Sequence, residues 1–114
     1  GKYFRMSYES QMIDTHFHYI MDVETRKVSR LSSNTMVMGD YVWIGNRTSI
    51  MKGAMLPSKC MVTSNSLINK DFSELKEHSI IGGIPAKFIK IGKSRVYNTD
   101  AEDHIRNYFS RPLF

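Results

Sequence analysis

Between Met38 and Ile68 the chain places a large aliphatic residue at every sixth position: Met38, Ile44, Ile50, Leu56, Val62 and Ile68. Four residues after each of the first five stands a small or β-branched one: Val42, Thr48, Ala54, Cys60 and Ser66. The positions between are mostly polar or turn-forming, as in Gly45-Asn46-Arg47 and Thr63-Ser64-Asn65. A buried helix face repeats near 3.6 residues and a two-sided strand alternates by two, and neither describes this spacing. A solenoid does, with short parallel strands as its flat faces and one hexapeptide per face. Large residues at one inward site and small ones near the corners then fill a narrow core. The same phase runs through the first twelve residues, with Met6 and Met12 at the large position and Phe4 and Ser10 at the small one. It is lost over residues 19–35, where Met21-Asp22-Val23-Glu24-Thr25-Arg26-Lys27 has no regular apolar spacing. This segment reads as a loop projecting from the solenoid, and loops held on a rigid scaffold are common carriers of binding residues.

Past Ile68 the regular pattern stops. Residues 70–78 read as a short connection and Ser79-Ile80-Ile81-Gly82 as a further strand. Gly82-Gly83-Ile84-Pro85 marks a tight turn, and Phe88 to Ile91 reads as extended. Thr99 followed by Glu102 has capping-box spacing. Ala101, Ile105, Tyr108 and Phe109 then recur at helical intervals, predicting a terminal helix placed to cover the open end of the solenoid. The chain therefore divides into an all-β solenoid over residues 1–92, with a loop at about 19–35, and a C-terminal extension with a helix over residues 93–114.

The length of 114 residues suits one domain. Sixteen Lys and Arg against eleven Asp and Glu give a formal charge of +5, suited to an anionic ligand or surface. The basic residues are not interleaved with aromatics as in a nucleic-acid module, so no nucleic-acid partner is expected. No apolar stretch approaches the ~20 residues that cross a bilayer, so stable membrane insertion is not expected either. The first residues lack a signal-peptide pattern, and the absence of an initiator Met leaves room for an upstream segment. Cys60 stands alone, without a disulfide framework or a CxxC metal motif. That agrees with a reducing, cytoplasmic setting.

Gly39-Asp40-Tyr41-Val42-Trp43-Ile44-Gly45 and Gly82-Gly83-Ile84-Pro85-Ala86-Lys87 together resemble the bacterial hexapeptide-repeat acyltransferases. Ile13-Asp14-Thr15-His16-Phe17-His18, followed by a polar excursion, is similar to their sugar and polysaccharide O-acetyltransferase branch. The resemblance covers roughly residues 1–92. It implies a left-handed parallel β-helix assembled as a homotrimer, with acetyl-CoA as co-substrate in a groove between subunits. The acceptor it implies is a sugar or polysaccharide precursor approaching from the opposite side. The left hand comes from the resemblance alone, since crossovers are otherwise right-handed. No metal is expected.

The family's catalytic base is the histidine closing the motif, here His18. An acceptor hydroxyl is a weak nucleophile until its proton is removed, and an imidazole exchanges protons readily near neutral pH. Asp14 and His16 are acceptor-side candidates by the same resemblance. His16 departs from the acidic residue common there, Tyr19 from a frequent proline, and Ile84 from an asparagine. Donor-site candidates at matching positions are Trp43, Asn46, Ser64, Asn69, Lys70, Ala86 and Lys87. Trp43 would lie beside the reactive end of the donor or else pack in the core, and Lys87 would meet phosphate through a charge-assisted bond. The alternative function is a catalytically inactive trimeric β-helix serving as a scaffold or glycan-binding module.

Overall fold

The structure is a computed structural model that describes residues 1–15, 17–28, 34–96 and 98–109. Along the chain run β1 (Arg5–Met6), β2 (Gln11–Ile13), β3 (Val37–Met38), β4 (Trp43–Ile44), β5 (Ser49–Met51), β6 (Met55–Leu56), β7 (Met61–Val62), β8 (Leu67–Ile68), β9 (Ser79–Gly83), β10 (Ala86–Ile91) and α1 (Thr99–Phe109). They assemble as a left-handed parallel β-helix. The first face is β1-β4-β7-β9-β10, the second β2-β5-β8 and the third β3-β6. Every pairing is parallel except β9 with β10. Trp43 pairs with Met61 and Ser49 with Leu67. One turn therefore takes 18 residues, the separation that also recurs in the hydrogen bonds between neighbouring corners.

The six-residue phase points into one core. Ile44, Ile50, Leu56, Val62 and Ile68 are buried, as are Val42, Thr48, Ala54, Cys60 and Ser66 between them. Met38 is half-buried, and in the first turn Met6 is 41% exposed. The hydroxyls of Thr48 and Ser66 need partners in this apolar interior. Ser66 Oγ donates to the Thr63 carbonyl at 2.6 Å, and Thr48 Oγ1 donates to the same oxygen at 3.3 Å. Burial pushes the Cys60 thiol up to about 12.

The corners are built from a second period of six. Tyr41, Arg47, Gly53, Lys59 and Asn65 all have φ between 53° and 80°. Tyr3, Glu9 and His78 extend the pattern into the flanking turns. Each non-glycine residue there costs about 1–2 kcal/mol. Stacked backbone bonds oppose that cost: Tyr41 N–H to Lys2 O and Lys59 N–H to Asp40 O at 2.7 Å, Asn65 N–H to Asn46 O at 2.8 Å.

The structure differs from the sequence reading in four places. The excursion leaves earlier than residue 19, because Asn34 N–H bonds to Asp14 O at 2.9 Å and closes its neck there. Inside it lies a small hairpin, with an antiparallel bridge between Met21 and Val28 and Asp22 N–H bonded to Lys27 O at 3.0 Å. Residues 70–78 are more than a connection: Asp71 bridges Met55 in parallel, adding to the third face, and Phe72 enters the core. The helix cap is Asn98 instead of Thr99, since Asn98 Oδ1 accepts the Ala101 N–H at 3.1 Å. Finally, α1 contains no buried residue and does not cover the solenoid. The antiparallel β10 lies at the edge of the first face instead, with Lys87 and Lys90 placing charge on an edge that would otherwise invite pairing.

Candidate active site

The outward side of the first face carries an unusual run of apolar residues. Trp43, Met61 and Ile80 are register partners on β4, β7 and β9. Trp43 is 40% exposed, outside the core, and its Nε1–H donates to Ser7 Oγ at 3.3 Å. Together with Gly45, Val62, Thr63 and Ser64 these residues line a trough of about 250 Å³. Its floor needs glycine. A Cβ on Gly45 would stand 2.6 Å from Ser64 N and 2.9 Å from the Val62 carbonyl oxygen, and one on Gly82 would run into Thr63 Oγ1.

The trough ends on cations. Ile80 pairs with Lys90 and Gly82 with Lys87 across the β9–β10 hairpin. Both lysines are exposed. From Trp43 to Lys90 is three strand spacings, about 14 Å at ~4.8 Å each. Asn46 and Ser64 occupy the same corner position in successive turns, and the Asn46 N–H donates to Ser64 Oγ at 3.1 Å. Ala86 is 1% exposed and belongs to the core, so within one chain it is not open to a ligand.

The remaining candidates stand elsewhere. Asn69 and Lys70 follow β8 and sit at the corner between the second and third faces. There the Lys70 ammonium lies 5.0 Å from the centroid of the Phe72 ring. Asp14 follows β2 at the same corner, its neighbour Ile13 pairing with Met51, and it is exposed at the neck of the excursion. His16 lies outside the described residues. His18 is exposed and stands inside the excursion instead of just before it. The turn leading to it is set by Thr15 Oγ1, which accepts the Phe17 N–H at 2.9 Å while Phe17 adopts a φ of 65°. At the hairpin tip, hydrogen bonds from Thr25 foremost and then Glu24 hold the Asp22 carboxyl below its usual range.

One chain thus gathers Trp43, Asn46, Ser64 and Lys87 about the first face, and Asp14, Asn69 and Lys70 about a corner formed by the other two, from which the excursion carrying His18 departs. Sequence reasoning missed Met61, Thr63 and Ile80. The signal was present: residues directly before the inward Ile44, Val62 and Ile81 are all apolar, 18 and then 19 residues apart, whereas the equivalent outward positions on the second face read Gln11, Ser49 and Leu67. Among the described residues no group of three or more His, Cys, Asp and Glu is placed to hold a metal ion. No described helix is long and apolar enough to cross a membrane.

No family model matches the chain. It is 32% identical over 60 residues to a candidate lipopolysaccharide-biosynthesis O-acetyl transferase of Escherichia coli (strain K12), covering 53% of this chain and 29% of that protein. Its fold superposes on the polysialic acid O-acetyltransferase OatWY with a TM-score of 0.67 and 25% identity, over 90% of this chain and 49% of the other. A hexapeptide-repeat acetyltransferase from Vibrio cholerae superposes with a TM-score of 0.57 and 25% identity, over 75% and 46%. The chain therefore spans less than a third of the length of that curated relative and about half of each of these solved structures.

Proposed function

We propose that the chain, which resembles the hexapeptide-repeat acyltransferases in sequence and in fold, moves an acetyl group from acetyl-CoA to a hydroxyl of a sugar or polysaccharide precursor. The observation that carries this reading is the apolar trough on the first face, with Trp43 at one end and Lys87 and Lys90 at the other. A trough of this length and polarity suits the pantetheine arm of coenzyme A, with its phosphates on the lysines and its thioester beside Trp43. The relatives named as acetyltransferases support the same donor.

In this reading His18 takes the proton of the acceptor hydroxyl as its oxygen attacks the thioester carbonyl carbon. The tetrahedral intermediate collapses by breaking the C–S bond, and the departing thiolate receives the proton from the imidazolium. The new ester leaves on the acceptor and free coenzyme A leaves as thiol. The excursion that carries His18 leaves the solenoid at a corner away from the trough, and this supports assembly as a homotrimer in which the excursion of one copy reaches the first face of the next. Asn69 and Lys70 then approach the donor from the neighbouring copy, and Asp14 and His16 the acceptor.

The test is a screen of acetyl-CoA with a panel of sugars, reading free-thiol release and locating the acetyl group by mass spectrometry. With an acceptor in hand, His18→Ala lowers turnover by roughly 10²–10⁴-fold while coenzyme A binding and the trimer seen by light scattering persist. Full activity of that variant removes His18 from the role. A monomer in light scattering removes the shared site.

A further inference from the structure

After β10 the chain turns back along the solenoid. Gly92 N–H donates to His78 O at 3.1 Å in the last turn, and Arg95 Nη2 donates to Tyr3 O at 3.0 Å in the first. Residues 92–95 thus strap the corner whose successive members, Tyr3, Tyr41, Lys59 and His78, all have left-handed φ. Where the strap reaches the first turn it closes over a cavity of about 280 Å³, with Tyr3, Arg5, Tyr41, Arg95 and Glu102 among its walls.

This cavity adjoins the trough. Arg5 is the register partner of Trp43, so it stands one strand spacing, about 4.8 Å, beyond the Trp43 end and away from Lys87 and Lys90. Tyr3 and Tyr41, two residues before Arg5 and Trp43, stack face to face with ring centroids 4.9 Å apart at 19°, so one face of each ring is covered and Tyr3, 69% exposed, is the aromatic ring left open to a ligand. Arg5 is exposed, and no hydrogen bond or ion pair engages its guanidinium among the described residues. Arg95 supplies a second cation, tied to the Tyr3 carbonyl, and Glu102 is the acidic residue of the lining.

We infer that this cavity seats the acceptor and that the acceptor unit is an anionic sugar, with its ring against Tyr3 and its carboxylate or phosphate on Arg5. The inference rests on the donor reading of the trough. A hydroxyl must come within ~3–3.5 Å of the thioester carbon to attack it, and the Trp43 end is where that carbon lies. An aromatic face suits the C–H face of a pyranose, and a planar guanidinium grips a carboxylate or phosphate with two parallel bonds. The volume is near the lower end of ligand pockets, about 300 Å³, which suits one sugar unit with the rest of a chain outside. Glu102 is placed to accept a bond from a ring hydroxyl.

The experiment measures equilibrium binding of N-acetylneuraminic acid, N-acetylglucosamine 6-phosphate and N-acetylglucosamine to the protein, with coenzyme A binding followed on the same samples. One or both anionic probes are expected to bind at least about 10-fold more tightly than the neutral one, the loss expected for one charged hydrogen bond. The stronger of the two identifies the anion. Arg5→Gln abolishes this preference, Arg5→Lys keeps part of it, and both leave coenzyme A and neutral-sugar binding unchanged. Equal binding of all three probes, no binding of either anionic probe, or an unaltered preference in Arg5→Gln overturns the inference while the donor reading stands. Failure to bind coenzyme A overturns both.

Discussion

Replacing Ile50 with Ala tests the core directly. Ile50 is fully buried and lies in register between Met12 on β2 and Ile68 on β8. The substitution removes three carbons, about 2.4 kcal/mol at ~0.8 kcal/mol for each buried methylene. A cavity term adds to that wherever the surroundings cannot collapse, and large-to-Ala changes of this kind span about 2–5 kcal/mol. Collapse is restricted here because Met12, Ile50 and Ile68 are spaced by backbone ladders on both sides of β5. We therefore expect about 3–5 kcal/mol. Met6 occupies the equivalent large position in the first turn but is 41% exposed, so Met6→Ala should cost less than about 2 kcal/mol, short of the range for fully buried sites. Urea unfolding followed by circular dichroism, at one protein concentration for all variants, gives both numbers. If Ile50→Ala costs no more than Met6→Ala, the inward column is not the core and the six-residue phase has been misread.

Two further outcomes follow from the same packing. Gly45→Ala should destabilise the protein by at least about 1–3 kcal/mol, as overpacking does, because the new methyl meets the Ser64 and Val62 backbone. It should also weaken coenzyme A binding, and calorimetric titration showing both unchanged would contradict the turn spacing. Cys60, with its thiol raised from 9.0 to about 12 by burial, should resist alkylation until the protein unfolds. Its neutral form is favoured in the fold, so the stability it contributes is complete below pH 9 and declines as the pH rises towards 12. Rapid labelling of native protein at pH 8 would place the thiol at the surface.

The solenoid was legible in the sequence because burial repeats with the geometry. Each inward residue recurs once per face, and a narrow core accepts only large and small side chains in alternation. Ile44, Ile50, Leu56, Val62 and Ile68 therefore announce their faces without reference to anything distant, as do Val42, Ala54 and Cys60. The corners were less legible. Of the residues with left-handed φ between Tyr41 and Asn65, only Gly53 and Asn65 have a local preference for it. Tyr41, Arg47 and Lys59 take it because backbone bonds to the preceding turn outweigh the local cost. Nor did the local pattern of Thr99 and Glu102 find the cap, because Asn98 one residue earlier accepts the Ala101 N–H.

Residue types named candidates such as His18, Trp43 and Lys87, since an imidazole, an indole and an ammonium have few substitutes in their chemistry. Which of them share a surface depended on the winding. Residues 43, 61, 80 and 90 become neighbours only when successive turns take 18 and 19 residues and the last strand doubles back. Residues 3 and 95 meet only when the strap runs the length of a corner. The six-residue period is a local property, set by what each hexapeptide buries, and it is written in the chain. The trough and the cavity beside it join turns far apart in sequence, and a linear pattern carries no record of what lies across a turn.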